Sequence, residues 1–199
     1  MLQRHKLKLS MILFQILSTL FLLSSCRNNE KENPNLRVYI HHDHEKYTLY
    51  RNGHPFHIKG AAGHTNLEKL HEIGGNTIRT YDTLNLGSVL DEAQRNHIAV
   101  MVGLPLPESM YTEYVYDKPE VSAKLIADYT RLISKYKNHP ALLLWCVGNE
   151  LDFSPKLKYY NFYKTFNRIV AMIHQKDPDH PVTTTMVNLR PKNLFCISM

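Results

Sequence analysis

Apolar and polar positions along the chain follow two rhythms, one of short β-prone runs and one of helical stripes. Val38-Tyr39-Ile40 and Tyr47-Thr48-Leu49-Tyr50 are β-prone, and Asn52-Gly53 favours a type I′ turn before Pro55-Phe56-His57-Ile58. These runs predict a hairpin that feeds a first core strand ending near Lys59-Gly60. Asn66 is placed to cap a short helix with Leu67, Leu70 and Ile73 on one side, and Gly74-Gly75 to stop it. Residues 76–81 read as a strand and 88–96 as a second short helix. Residues 98–103 form an unbroken apolar run, the pattern of a strand buried on both faces.

A long loop, 104–116, carries Pro105 and Pro107. Asp117 is then expected to cap a strong helix, with Pro119 in its first turn and Glu120 three residues after the cap. Val121, Leu125, Tyr129, Leu132, Ile133 and Tyr136 make its apolar stripe. Residues 141–147 predict a second buried strand. Ser154-Pro155 is expected to start a helix that Asp177-Pro178 ends, and 182–187 a final strand. After the hairpin the order is βαβαβαβαβ, which predicts an α/β fold with a parallel sheet. An open doubly wound sheet and a TIM barrel both fit. Gly60-Ala61-Ala62-Gly63 lacks the spacing of a phosphate-binding glycine loop, which weakens the nucleotide-binding version.

The first 25 residues have a different pattern. Arg4, Lys6 and Lys8 precede an apolar run of 13 residues, 11–23, too short to span a bilayer core comfortably. This is the layout of an export signal. Leu23-Ser24-Ser25-Cys26 resembles a bacterial lipobox, in which the chain is cut before a cysteine that then carries lipid. The expected organisation is a signal over 1–25, a polar tether over 26–36 and one domain over 37–199. The protein would be exported and lipid-anchored through Cys26 to a membrane of the bacterial cell envelope.

Composition changes the picture little. The chain has 199 residues, 43% hydrophobic and 21% charged, which excludes wholesale disorder. Without the leader, 21 basic residues face 18 acidic ones, so much of the +6 net charge leaves with it. No basic stripe interleaved with aromatics points to nucleic acid. Three cysteines do not make a disulfide framework, and Cys146 sits in an apolar run as a small core residue.

In a barrel, chemistry sits at the C-terminal ends of strands. Those positions carry His64, then Arg79 with Tyr81 and Asp82, then Glu108, then Asn149 and Glu150 with Asp152. Trp145-Cys146-Val147-Gly148-Asn149-Glu150 ends a buried strand with a glycine, an amide and a carboxylate. These residues resemble clan A of the glycoside hydrolases, as does His139-Pro140-Ala141-Leu142-Leu143-Leu144-Trp145, which is similar to family 2 and family 5 members. Residues 50–60 and 70–79 are similar to the clan's approaches to strands one and two.

The resemblance implies a (β/α)8 TIM barrel and a retaining glycoside hydrolase acting on O-glycosidic bonds of an oligo- or polysaccharide. Glu150 would be the general acid/base, which protonates the leaving oxygen while a second carboxylate acts from the other side of the sugar. Asn149 would bond the sugar 2-hydroxyl, and Arg79 would help hold the nucleophile ionised. His64 and Tyr81 are expected to contact substrate. Tyr81, Tyr111, Tyr114 and Tyr116 can serve either as sugar-stacking faces or as lids. Trp145 is either core or part of the sugar floor. His41, His42 and His44 are read as solvated histidines rather than a zinc site, and no cofactor is implied.

The clan's nucleophile follows strand seven, whereas the pattern here runs to about strand five. A complete barrel needs roughly 250 residues. The expectation is therefore a barrel truncated after about strand five, an N-terminal fragment without turnover by itself. The alternatives are a non-catalytic carbohydrate-binding lipoprotein or pseudoenzyme, and an unrelated doubly wound protein.

Overall fold

A computed structural model of the chain describes residues 37–44, 46–107, 115–151 and 159–187. The leader, Cys26 and the tether lie outside the described residues. Among those described, no helix is long and apolar enough to cross a membrane.

Strands β1 (Val38–Asp43), β2 (Lys46–Arg51) and β3 (His54–Pro55) form an antiparallel sheet in that order. Arg51 pairs with His54 across a two-residue turn in which Asn52 has φ 51° and Gly53 φ 77°. Positive φ at both central positions is the type I′ geometry expected from Asn-Gly. The hairpin is fastened to the turns that precede two later strands. Arg37 Nη1 donates to Asn138 O at 3.0 Å and Arg51 Nη2 to Pro140 O at 2.8 Å. Val38 N donates to Asp179 O at 3.1 Å, and the Val38 side chain packs with Ala99, Leu143 and Leu144.

The second sheet has five parallel strands, β4 (Gly60–Ala62), β5 (Thr77–Arg79), β6 (Ala99–Leu104), β7 (Leu142–Val147) and β8 (Val182–Thr183). Their spatial order is their chain order. Helices α1 (Leu67–Glu72), α2 (Leu86–Arg95), α3 (Pro119–Tyr136) and α4 (Tyr160–Lys176) connect them. A doubly wound sheet reverses direction at a switch point, whereas strands that keep stepping one way curl toward a barrel. The order β4-β5-β6-β7-β8 therefore decides between the two architectures in favour of barrel winding.

The main core lies between strands and helices. Val100, Val102, Leu104, Leu142, Trp145 and Val147 pack against Leu90, Ala93, Ile133, Phe166, Ile169 and Ile173. Each such side chain contributes roughly 1.5–3 kcal/mol on burial. Pairing of β6 with β7 slips between Val100 and Met101, whose partners are Leu142 and Leu144. The slip puts Leu143 and Leu144 together in the small core under the hairpin and turns Trp145 to the helix side.

Several boundaries differ from the sequence reading. The first barrel strand begins at Gly60 instead of ending there. A Cβ on Gly60 would stand 2.1 Å from Thr77 O, so the strand can pair with β5 only because residue 60 is glycine. Asp117 does not cap α3. It lies in a 3-10 turn, Val115–Asp117, and accepts a bond from Asn161 Nδ2 at 2.6 Å, while extended Lys118 is the cap residue. Helix α2 starts at Leu86, two residues earlier than expected. The expected start of α4 at Ser154-Pro155 lies outside the described residues. Strand β8 is two residues long, followed by a single parallel bridge between Leu151 and Met186.

Candidate active site

The C-terminal ends of β4, β5 and β7 bring His64, Arg79, Asn149 and Glu150 to one end of the sheet. Gly63 N donates to Arg79 O at 2.9 Å, which ties the residue before His64 to the end of β5. His64 is exposed there. Gly148 N donates to Leu104 O at 2.8 Å, which ties the end of β7 to β6.

Beyond β7 the chain makes a tight bend. Gly148 is buried at φ 77°, and a Cβ on it would meet Leu151 Cδ1 at 2.6 Å. Glu150 is also left-handed, at φ 49°, an uncommon backbone for a residue with a side chain. Its amide donates to Thr185 Oγ1 at 2.8 Å, and Leu151 N donates to Thr185 O at 2.9 Å. Asn149 and Glu150 are both exposed.

Arg79 Nη2 donates to Asn149 Oδ1. The bond turns Oδ1 toward Arg79 and leaves Nδ2 as the amide's donor. The guanidinium also lies over the Tyr81 ring, 4.7 Å from the centroid, and Tyr81 is 53% exposed. Arg79 Nε is buried with no hydrogen-bond partner among the described residues. Burial pushes the Cys146 thiol up, and the nearby Arg79 charge opposes that shift. Asp82 Oδ1 accepts from Leu84 N at 2.8 Å and shapes the loop after β5.

Burial decides between the alternatives for two aromatic residues. Trp145 is fully buried on the helix side of β7, and its Nε1 donates to Asp177 Oδ2 at 2.7 Å. It is a core residue, not a sugar floor, because the register slip turned its face away from the strand-end cluster. Tyr116 is buried against Phe162, with ring centroids 5.2 Å apart, and its hydroxyl donates to Pro107 O at 2.7 Å. That packing leaves Tyr116 4% exposed, with no free face for stacking. Tyr129, read from the sequence only as part of a helix stripe, donates to Pro105 O. The two phenols anchor the loop after β6, and burial pushes both of them up. Glu108, Tyr111, Tyr114 and Asp152 lie outside the described residues.

The hairpin histidines are scattered. His42 stacks on Tyr47 at 4.2 Å, His41 meets the Tyr50 ring edge-on, and His44 Nδ1 lies 2.6 Å from Asp43 Oδ1. Among the described residues no three His, Cys, Asp or Glu side chains are grouped to hold a metal. Thr184 and Thr185 are the participants that sequence reasoning missed. Thr184 Oγ1 donates to Val147 O at 2.8 Å. Their only signal was a run of threonines in a strand, which is ordinary β composition.

The family described as "Glycosyl hydrolases family 2, TIM barrel domain" matches residues 76–198, more than half of the chain. The chain belongs to this family. It is similar to β-glucuronidase of Rattus norvegicus, 29% identical over 153 residues, and to that of Mus musculus, 28% identical over 153 residues. Each match covers 66% of this chain and 22% of the relative, so the chain spans about a fifth of the length of these curated relatives.

Among solved structures, β-glucuronidase of Bifidobacterium dentium complexed with coumarin-3-O-glucuronide superposes with a TM-score of 0.63 at 19% identity. The match covers 78% of this chain and 27% of that one. A glycoside hydrolase family 5 mannosidase from Rhizomucor miehei superposes with a TM-score of 0.60 at 15% identity, covering 82% of this chain and 59% of that one. At such identities the likeness speaks to fold. The family 2 assignment agrees with the motifs at the strand ends and with the one-directional strand order.

Proposed function

We propose that this family 2 chain carries the acid/base side of a retaining glycoside hydrolase site that cleaves O-glycosidic bonds of a carbohydrate. The observation that carries the reading is the Arg79–Asn149 bond beside exposed Glu150 at the end of β7. Glu150 is the general acid that protonates the leaving oxygen, and as carboxylate it later takes a proton from water. Asn149, with its acceptor held by Arg79, offers Nδ2 to a sugar hydroxyl. Arg79 supplies positive charge near where the second carboxylate acts, and His64 and Tyr81 flank the sugar. In retaining enzymes that second carboxyl stands about 5–5.5 Å from the first. The resemblance assigns it to strand seven, a strand not among the five described here. β-Glucuronides are the first substrates to try, because the similar curated proteins are β-glucuronidases.

The test mixes the 199-residue chain with a polypeptide supplying barrel strands six to eight and their glutamate. Aryl glycosides, β-D-glucuronide first, should be hydrolysed by the mixture. Glu150→Gln should lower the rate about a thousandfold on unactivated leaving groups, and less on activated ones that need no acid. Undiminished turnover in Glu150→Gln would sink the assignment.

For location, the reading remains export and lipid anchoring at Cys26, supported by the basic start, the short apolar run and the Leu-Ser-Ser-Cys sequence. Radiolabelled fatty acid should enter the wild-type chain and not Cys26→Ser. Equal labelling of both would refute the anchor.

A further inference from the structure

Glu150 sits in a left-handed backbone, which brings the Cβ of an L-residue close to the neighbouring carbonyl oxygen. Something must hold it there. The direction of its Cα–Cβ bond is set by the two peptide planes that flank its Cα. The first plane contains the Glu150 amide, which donates to Thr185 Oγ1 at 2.8 Å. The second contains the Leu151 amide, which donates to Thr185 O at 2.9 Å. One residue therefore grips both planes, once through its hydroxyl and once through its carbonyl.

Neighbouring bonds hold Thr185 itself in place. Thr184 Oγ1 donates to Val147 O at 2.8 Å, and Val187 N donates to Leu151 O at 3.2 Å. The Leu151–Met186 bridge continues the pairing past the bend. Of the two contacts to the planes around Glu150, only the one from Oγ1 depends on the identity of residue 185, because any residue there has a carbonyl.

We propose that Thr185 is a positioning residue for Glu150, its hydroxyl fixing the peptide plane that aims the carboxyl toward the leaving-group oxygen. The inference rests on the acid/base reading of Glu150. It takes Thr185 into the function through Glu150, without contact to substrate. Serine keeps the acceptor oxygen. Valine keeps the shape and removes it, and because Glu150 is exposed its freed amide can turn to water, so the variant should still fold.

The test compares Thr185→Val, Thr185→Ser and the remote control Thr130→Val in the full chain by amide hydrogen exchange. The same variants are assayed for turnover in the mixture described above. In Thr185→Val the Glu150 amide should exchange about tenfold faster, while Leu151 and Val187 amides keep their rates. Turnover on unactivated glycosides should drop by a similar factor in kcat, with KM unchanged. Thr185→Ser should restore both, and Thr130→Val, whose hydroxyl bonds Ile126 O within helix α3, should change neither. Unchanged protection of the Glu150 amide in Thr185→Val overturns the proposal. So does an equal loss of kcat in all three variants, which would mark a merely structural role. If Thr185→Val is silent while Glu150→Gln abolishes turnover, the positioning role fails and the acid/base reading stands. If Glu150→Gln is silent, the acid/base reading fails and the positioning role with it.

Discussion

Near the turns that lead into β7 and β8, buried polar groups meet one another, although His180 Nε2, like Arg79 Nε at the far end, has no hydrogen-bond partner among the described residues. Trp145 Nε1 and His180 Nδ1 both meet the carboxylate of Asp177, at 2.7 and 2.9 Å, and all three side chains are almost wholly buried. Arg37 and Arg51 bind carbonyls there, and burial, with Arg37 alongside, holds the Arg51 guanidinium below its usual range. At the other end of the same strands, Asn149 and Glu150 stand exposed and Glu150 is in a left-handed backbone. One end uses its polar groups to hold the chain together. The other leaves polar groups and backbone strain where a ligand can meet them. Strain of this kind persists only where the surroundings hold it, and here the rigid β6–β7 pair and Thr185 do so.

Four variants break or sharpen that contrast. The largest effect is expected at Glu150, where Gln should lower complemented turnover about a thousandfold with an unchanged melting temperature. A fall in melting temperature of several degrees would make Glu150 part of the scaffold instead. Next comes Asp177→Ala, which strips Trp145 Nε1 and His180 of their partner in a buried place. It should cost about 3 kcal/mol in urea denaturation. A loss under about 1 kcal/mol would mean that the buried cluster does not hold this end together.

Glu150→Gly should go the other way, raising stability by about 1 kcal/mol as the left-handed strain is relieved, while removing the carboxyl. A destabilised glycine variant would show that the bend is not strained.

The smallest effect concerns pH. Burial pushes the phenols of Tyr116 and Tyr129 up from 10.0, with Tyr129 adding to Tyr116 and Asp128 adding to Tyr129. The fold favours their neutral forms, so their contribution is complete below pH 10 and falls as pH rises above it, where the unfolded chain ionises first. The double variant Tyr116→Phe/Tyr129→Phe should flatten that alkaline decline in the denaturation midpoint. An unchanged slope would place its origin elsewhere.

Much of this is legible in the amino-acid sequence. Asn52-Gly53 announced its turn because only such pairs take positive φ twice at low cost. The apolar runs at 98–103 and 141–147 announced buried strands, and Gly148-Asn149-Glu150 announced the end of one. The misreadings share one cause. The face of Trp145 depends on a register slip against β6, and strict alternation along β7 would have put it beside Leu143. Gly60 opens its strand because of the closeness of Thr77 O, which lies 17 positions away in the chain. Asp117 looked like a cap until Asn161, from another helix, claimed its carboxylate.

Hydrophobic periodicity and turn chemistry were thus enough for the α/β class, the order of elements and the strand end that carries Glu150, since these follow from contacts between near neighbours in the chain. The barrel winding came from the spatial order of the strands. The removal of Trp145 and Tyr116 from the substrate-facing set came from burial. The grip of Thr185 on Glu150 came from a contact spanning 35 positions. Such facts arise when distant segments meet, and a linear pattern does not encode which atom will stand opposite which.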